Sequence, residues 1–256
     1  MRRLPRAIVL LAAFWVAVAQ PRAAHAAAAP VVARLTWFGQ SCFLLETAAG
    51  TRVLIDPIPK TLGYRLPAGL RADLVTVSHE HADHDNLAMV TGKPHVIHGL
   101  TADKKGWAHV DERFRDVSVR SVGVYHDDRR GEQRGLDTVF IFEVGGLRIA
   151  HLGDLGHTLD DDQLEAIGSV DVLLVPVGGA TTIDAYQATR VIDQLHPRLM
   201  VVPMHYKTDA STSKELAPLD AFLERKANVR HVVGPTVVLT SVKARPATEI
   251  VVLDWH

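Results

Sequence analysis

Residues 77–86 read VSHEHADHDN and continue the apolar run LVTV of residues 74–77. His79, His81 and His84 share these ten positions with Glu80, Asp83 and Asp85. In an extended segment, residues i and i+2 point the same way. His79 and His81 therefore present two imidazoles side by side, Asp83 follows in phase, and His84 turns the other way. Such a run at a strand end aims ligands at two neighbouring points, one beside His79 and His81, the other beside Asp83 and His84. Imidazole with carboxylate suits zinc, and no thiolate is needed. The plainer reading is a polar loop of solvated histidines. The rest of the chain counts against it, because ionisable residues interrupt other apolar runs: Asp56 in LIDP, His126 in VYHDD, Asp154 in HLGDLGH and His205 in VPMHY. Loops at one edge of a scaffold are where sites are usually assembled.

The chain around this stretch has 256 residues, 47% apolar and 22% charged. That is globular composition and excludes disordered and collagen-like classes. Arg2, Arg3 and Arg6 precede the apolar run AIVLLAAFWVAVA, and the small-residue segment QPRAAHAAAAP follows. This pattern predicts a signal peptide over residues 1–26, cleaved after Ala24-His25-Ala26, and an exported protein, periplasmic or secreted. The apolar run is short for a membrane span, which needs about 20 residues, so no stable membrane insertion is expected after cleavage. Loss of the leader takes Lys+Arg from 28 to 24 against 29 acids, a formal charge of −5. Such a surface offers no broad attraction to nucleic acid or anionic lipid, and the expected partner is a small-molecule substrate. Cys42, the sole cysteine, allows no intrachain disulfide and reads as a small buried hydrophobe.

No linker or composition shift divides residues 31–256, which read as one domain. Short runs rich in Val, Ile and Phe predict strands: ARLTWF, CFLLET, RVLI, LVTV, HVI, VSVRSV, TVFIFEV, LRIAHL, VDVLLVPV, LMVVPM, VRHVV and TVVLT. Gly145-Gly146 between two of them is a hairpin signal. Helices are predicted over 160–167, over 183–195 with Thr182 as cap and His196-Pro197 as stop, and over 219–226. This pattern suggests two packed sheets with helices outside.

SHEHADH resembles the H-x-H-x-D-H signature of the metallo-β-lactamase superfamily. WFGQSCFLLET, RVLIDP, VYHD, IAHLGDLGH, VDVLLVPVGG and VVPMHY are similar, in order, to segments of its lactonase-like branch, which includes ascorbate-6-phosphate lactonase. The resemblance runs from about Leu35 to Tyr206. It implies an α/β fold, a four-layer αβ/βα sandwich with a metal site along one edge. Carried over by position, it implies that His79, His81 and His126 hold one metal and that Asp83, His84 and His205 hold a second. Asp154 would bridge them, and Asp56 would brace the histidine loop. Two departures stand out. Gln40 occupies a place where many relatives carry histidine, and His157 is not one of the general ligands. His157 then contacts substrate, supports a ligand, or is a loop residue without special role. His151 reads as structural.

The implied cofactors are two divalent metal ions, Zn2+ first, with Mn2+, Ni2+ or Fe2+ as alternatives. A hydroxide shared by two metals would attack a small ester, lactone or phosphoester, with Asp83 orienting it or accepting its proton. No G-x-S-x-G motif offers a side-chain nucleophile. Arg129, Arg130 and Arg134 could hold a phosphate or carboxylate, or belong to a solvated turn offset by Asp127, Asp128 and Glu132. VGGATT could bring backbone N–H groups to a ligand or only form a tight turn. Other readings are a β-lactamase-type amide hydrolase, a di-iron redox protein and a non-catalytic relative. The HLGDLGH and PMHY segments speak for the lactonase branch over the first. The flavin partner domain of the redox relatives has no room here, and an intact set of seven ligands argues against the third.

Overall fold

The computed structural model describes residues 29–241 and 247–255; the expected leader, residues 1–26, lies outside the described residues. The chain begins with β1 (Val31–Trp37), β2 (Phe43–Thr47), β3 (Arg52–Ile55), the two-residue β4 (Leu70–Arg71), β5 (Leu74–Val77), the two-residue β6 (Val90–Thr91) and β7 (His95–His98). Next come β8 (Asp111–Phe114), β9 (Val117–Tyr125), β10 (Leu136–Val144), β11 (Leu147–His151), α1 (Asp161–Ile167), β12 (Val172–Pro176) and α2 (Ala185–Leu195). β13 (Met200–Met204), α3 (Asp220–Leu223), β14 (Val229–His231), β15 (Thr236–Thr240) and β16 (Glu249–Val252) follow.

Two large sheets face each other. The first has strand order β15-β1-β2-β3-β5-β7 and the second β14-β16-β13-β12-β11-β10-β9-β8. Antiparallel pairing gives way to parallel pairing in both, at β3 beside β5 and at β11 beside β12. β14 and β16 lie in the second sheet, yet β15 between them in sequence crosses to the first, where Val31 pairs with Thr240 and Thr36 with Thr236.

Alternation within strands explains why both faces of the first sheet are dry. Phe43, Leu45, Val53, Ile55 and Leu74 join the main core with the second sheet. Their neighbours Leu44, Leu54, Val75 and Val77 point outward and pack with Ile58, Tyr64, Leu70 and Met89. The layer covering that outer face holds two 3-10 turns, Lys60–Leu62 and Leu87–Met89, while α1 and α2 pack on strands of the second sheet. This is the αβ/βα sandwich, with the helical layer over the first sheet reduced to short turns.

The predicted hairpin forms: Val144 pairs with Leu147, and Gly145 and Gly146 take φ of 54° and 82°. Positive φ at both central residues is what a type I′ turn requires. α1 has the predicted place, with Asp160 accepting from Gln163 N–H in a capping box. α2 differs from expectation. It starts at Ala185 rather than Ile183, because the Asp184 carboxylate caps it by accepting from Gln187 N–H. The Thr182 hydroxyl instead bonds the carbonyls of Gly179 and Ile183. α3 covers four residues rather than 219–226, since Glu224 leaves helical geometry and Arg225 has φ 61°.

Cys42 is fully buried, and burial pushes its thiol well above the usual range, with the charge of Asp56 adding to this and a backbone bond from Ile58 opposing it. A buried neutral thiol is inert. The native protein should therefore show no fast reaction with a disulfide reagent such as DTNB, and one reactive thiol per chain should appear in guanidinium. Labelling of the native state at the unfolded rate would contradict this packing.

Candidate metal centre

The candidate site lies where several strands end at one edge of the sandwich. His79, His81, Asp83 and His84 follow β5, His126 follows β9, Asp154 follows β11 and His205 follows β13. All seven converge. His79, His81 and His126 offer nitrogens within 4.8 Å of one another; so do the donor atoms of His79, His84 and Asp154, and those of Asp83, His84 and His205. Asp154 is the hub. Its Oδ2 lies 3.2 Å from His84 Nε2, 3.4 Å from His126 Nε2 and 3.2 Å from His205 Nε2. His79 Nε2 and His81 Nδ1 are 3.0 Å apart. His79, His84, His126, Asp154 and His205 are buried, Asp83 is half-buried and His81 is exposed, so the cluster opens to solvent at His81 and Asp83.

The donor chemistry fits divalent cations. His84 Nε2 is buried, completes no well-aligned hydrogen bond and has the Asp154 carboxylate 3.2 Å in front of it. A buried polar atom left so is costly, and a cation between the two groups satisfies both. Burial lowers the His79 imidazole to about 4, the nearby His84 adding to the effect. Burial also lowers His81 and His126, so these three imidazoles are neutral at pH 7 with lone pairs to give. Burial opposes charge on His84 too, but Asp154 and Asp56 outweigh it and hold that ring well above its usual value. The Asp154 carboxyl, despite burial, is held well below its usual range by His205 and His84.

Buried carboxylates brace this cluster from behind. Asp56, at the end of β3 with φ 46°, accepts from Ser78 N–H at 2.8 Å and from Ser78 Oγ at 2.6 Å, and its Oδ2 lies 2.9 Å from His84 Nδ1. It therefore does brace the histidine loop. Asp137, at the start of β10, is a residue that sequence reasoning missed: its Oδ1 lies 3.1 Å from His79 Nδ1, and it is fully buried. Burial pushes its carboxyl up to about 7; His126 opposes the shift, and Asp154 and Asp56 add to it. The only sequence signal for it was a lone acid heading an apolar strand. Ser41 Oγ donates to Asp154 Oδ1 at 3.4 Å. His151, structural as read, donates from Nε2 to the Ser41 carbonyl and accepts Gly153 N–H at Nδ1. Carboxylates behind ligand histidines fix ring orientation, and losing one costs about 10- to 100-fold in metal affinity. We expect Asp56→Asn and Asp137→Asn each to weaken metal binding by about that factor, measured by competition with a chelating dye. Unchanged affinity in both would remove the bracing role.

His157 is not among the cluster's donors. Its Nε2 accepts Tyr125 N–H at 3.1 Å and its Nδ1 donates to the Thr158 carbonyl at 2.8 Å. Both nitrogens are spent on backbone, which anchors the end of β9 next to His126. In the arginine-bearing loop, the Asp127 carboxylate gathers N–H groups from Arg129, Gly131, Gln133 and Arg134 at 2.7–2.9 Å. Arg134 donates to the Ala180 carbonyl, and Arg129 and Arg130 are exposed. The loop is thus a turn organised around Asp127, with Arg129 and Arg130 facing solvent. In VGGATT, Gly178 allows close approach, since a Cβ there would lie 2.2 Å from the His205 carbonyl oxygen.

Comparison with known proteins decides the family. A profile of the β-lactamase superfamily domain matches residues 34–205, a span that contains all seven cluster residues. A UPF0173 metal-dependent hydrolase of Anaeromyxobacter dehalogenans is 32% identical over 246 residues, covering 83% of this chain and 86% of the relative. The chain belongs to the UPF0173 metal-dependent hydrolase family of the metallo-β-lactamase superfamily. Another relative of that name, from Methanoculleus marisnigri, is 32% identical over 213 residues, covering 77% of this chain and 91% of its own. Among crystal structures, a Thermotoga maritima protein assigned as a Zn-dependent hydrolase of this superfamily is 35% identical. It superposes with a TM-score of 0.69, over 86% of this chain and 98% of its own. Igni18, a metallo hydrolase of Ignicoccus hospitalis, is 25% identical with a TM-score of 0.58, over 81% and 97%. The family fits the fold: the Thermotoga maritima structure superposes on this chain, and the cluster lies at the sandwich edge.

Proposed function

We propose that this chain holds two divalent metal ions and uses them to hydrolyse a small ester, lactone or phosphoester, in the manner of the lactonase-like branch. His79, His81 and His126 would hold one ion, and Asp83, His84 and His205 the other, with Asp154 available to both. The observation that carries this reading is the placement of Asp154 Oδ2 within 3.4 Å of nitrogens on His84, His126 and His205, which come from three separate strand ends. One carboxylate oxygen facing three imidazoles in a buried site supports a shared ligand. Zn2+ suits the donors best, and Mn2+, Ni2+ or Fe2+ suit them as well. When bound, such ions make a coordinated water acidic enough to ionise near pH 7 and polarise a carbonyl or phosphoryl oxygen.

The protein's own groups supply orientation and proton handling. Asp56 holds the His84 ring from behind, while Nδ1 of His79 is bonded to Ser78 Oγ at 3.0 Å and faces the Asp137 carboxyl at 3.1 Å. Ser41 fixes the second oxygen of Asp154, leaving Oδ2 to the cluster. Asp83 stands on the open side with its Oδ2 3.8 Å from His84 Nε2, where an incoming water or substrate meets a half-exposed carboxylate able to take a proton. The site needs no side-chain nucleophile, and Cys42 is sealed away. Export by the N-terminal leader places this chemistry in the periplasm or outside the cell.

The test is a panel of lactones, phosphodiesters, thioesters and β-lactams, offered to protein stripped with a chelator and reloaded with Zn2+ or Mn2+. Metal-dependent turnover of a lactone or phosphodiester is the expected result. Preferential β-lactam turnover would move the assignment to amide hydrolysis. No turnover of any compound with two ions bound would leave the non-catalytic reading.

A further inference from the structure

Gln40 belongs to none of the three donor clusters, yet its side chain reaches into one of them. It sits in the turn between β1 and β2 with φ 50°, and it is buried, 5% exposed. Its amide Nε2 lies 2.7 Å from His205 Nε2 and 3.5 Å from Asp83 Oδ2. The residue cannot retreat easily. Its carbonyl oxygen accepts from the Trp37 indole at 2.9 Å and from His205 N–H at 3.2 Å, so its backbone is tied to both the core and the ligand strand.

We infer that Gln40 is a further ligand of the cation held by Asp83, His84 and His205, through its side-chain carbonyl oxygen; this rests on the two-ion reading above. The argument is a competition for one lone pair. Without metal, the Gln40 amide and His205 Nε2 share one hydrogen bond, whose direction follows the imidazole tautomer. A cation at the Asp83–His84–His205 cluster claims the lone pair of that nitrogen. An N–H held 2.7 Å away then has no acceptor and faces a positive charge. Turning the amide over about its last bond presents Oε1 instead, and the two ends differ little in size. An amide carbonyl is a good ligand for oxygen-preferring divalent ions. The same head group therefore serves as hydrogen-bond partner in the empty site and as oxygen ligand in the filled one. The hydrogen bonds of the Gln40 side chain run to Asp83 and His205, on the side of the Asp83–His84–His205 cluster.

Calorimetric titration of Zn2+ and of Mn2+ into stripped full-length protein tests this, comparing wild type with Gln40→Ala and Gln40→Glu. Wild type should take up two equivalents. Gln40→Ala should leave one equivalent unchanged and weaken the other by about 10- to 100-fold, and Gln40→Glu, which keeps an oxygen at the same reach, should restore it. In the Co2+-loaded protein, Gln40→Ala should also change the visible absorption band, which reports ligand number and would not respond to packing alone. Metal-free melting curves establish that each variant is folded. Two equivalents of unchanged or tighter affinity in Gln40→Ala would overturn the ligand role and leave the two-ion reading standing. A single equivalent in wild type would overturn both.

Discussion

Asp154→Asn should abolish metal-dependent turnover, with a loss of about 10³-fold, the upper end of what one aligned electrostatic partner supplies in a buried site. The substitution keeps the shape and removes the charge. In the native chain the Asp154 carboxyl is held ionised, against the cost of burial, by His205 and His84. An amide at the same place offers only a neutral oxygen to any cation in the cluster, and its other end is a donor that a cation repels. Metal content measured by elemental analysis should fall together with turnover, because the same oxygen faces His84, His126 and His205. A variant that retained both its metal and its activity would sink the shared-ligand reading. Loss of activity with full metal content would confine Asp154 to the chemistry.

Gly156→Ala should do nearly as much damage without touching a donor. A Cβ at residue 156 would lie 2.3 Å from the carbonyl carbon of His126 and 2.3 Å from the amide nitrogen of Asp127. These are backbone atoms and have nowhere to go. Gly156 N–H donates to the Tyr125 carbonyl, His126 N–H to the Gly135 carbonyl, and Tyr125 N–H to the His157 ring. The added methyl must therefore force apart the two segments that carry His126 and Asp154. Overpacking of this kind costs about 1–3 kcal/mol of stability, and a displacement near 1 Å at a reacting centre costs about 10²-fold in rate. Gly106→Ala is the matched control, since its nearest neighbour would be a Thr101 methyl at 3.7 Å. Thermal melting and turnover of the two variants settle the matter; equal behaviour would mean that the close approach at Gly156 is not required.

Much of this architecture could be read from residues alone, for a physical reason. Strands buried on both faces, such as β5 and β12, must be continuous apolar runs, and those runs are plain in LVTV and VLLVP. The ligands sit where such runs end, so sequence position and spatial convergence coincide. One apolar run, EIVV of β16, also escaped; the rest of what escaped lacked such a signature. β8, DERF, is an edge strand of alternating exposed and half-buried residues, and its charges read as loop. The Asp184 cap was hidden because Ile183 looks like the first turn of a helix, though it is buried just outside it. Asp137 escaped because its role depends on where β10 runs relative to the loop after β5, a relation that no local pattern encodes. Gln40 was noticed as a departure, but its reach to His205 spans 165 positions and appears only in the folded chain.

The crossing of β15 has a consequence for the order of assembly. Thr36 meets Thr236 across a separation of 200 residues, hydroxyl to hydroxyl at 2.8 Å, whereas every donor of the cluster has already appeared by His205. A chain stopped short of residue 236 would carry its whole ligand set, yet β1 of the first sheet would still show a bare row of N–H and C=O groups. Such a rim recruits other chains, and contacts this distant form late. Carboxy-terminal truncations should therefore fail as aggregates before they fail as catalysts.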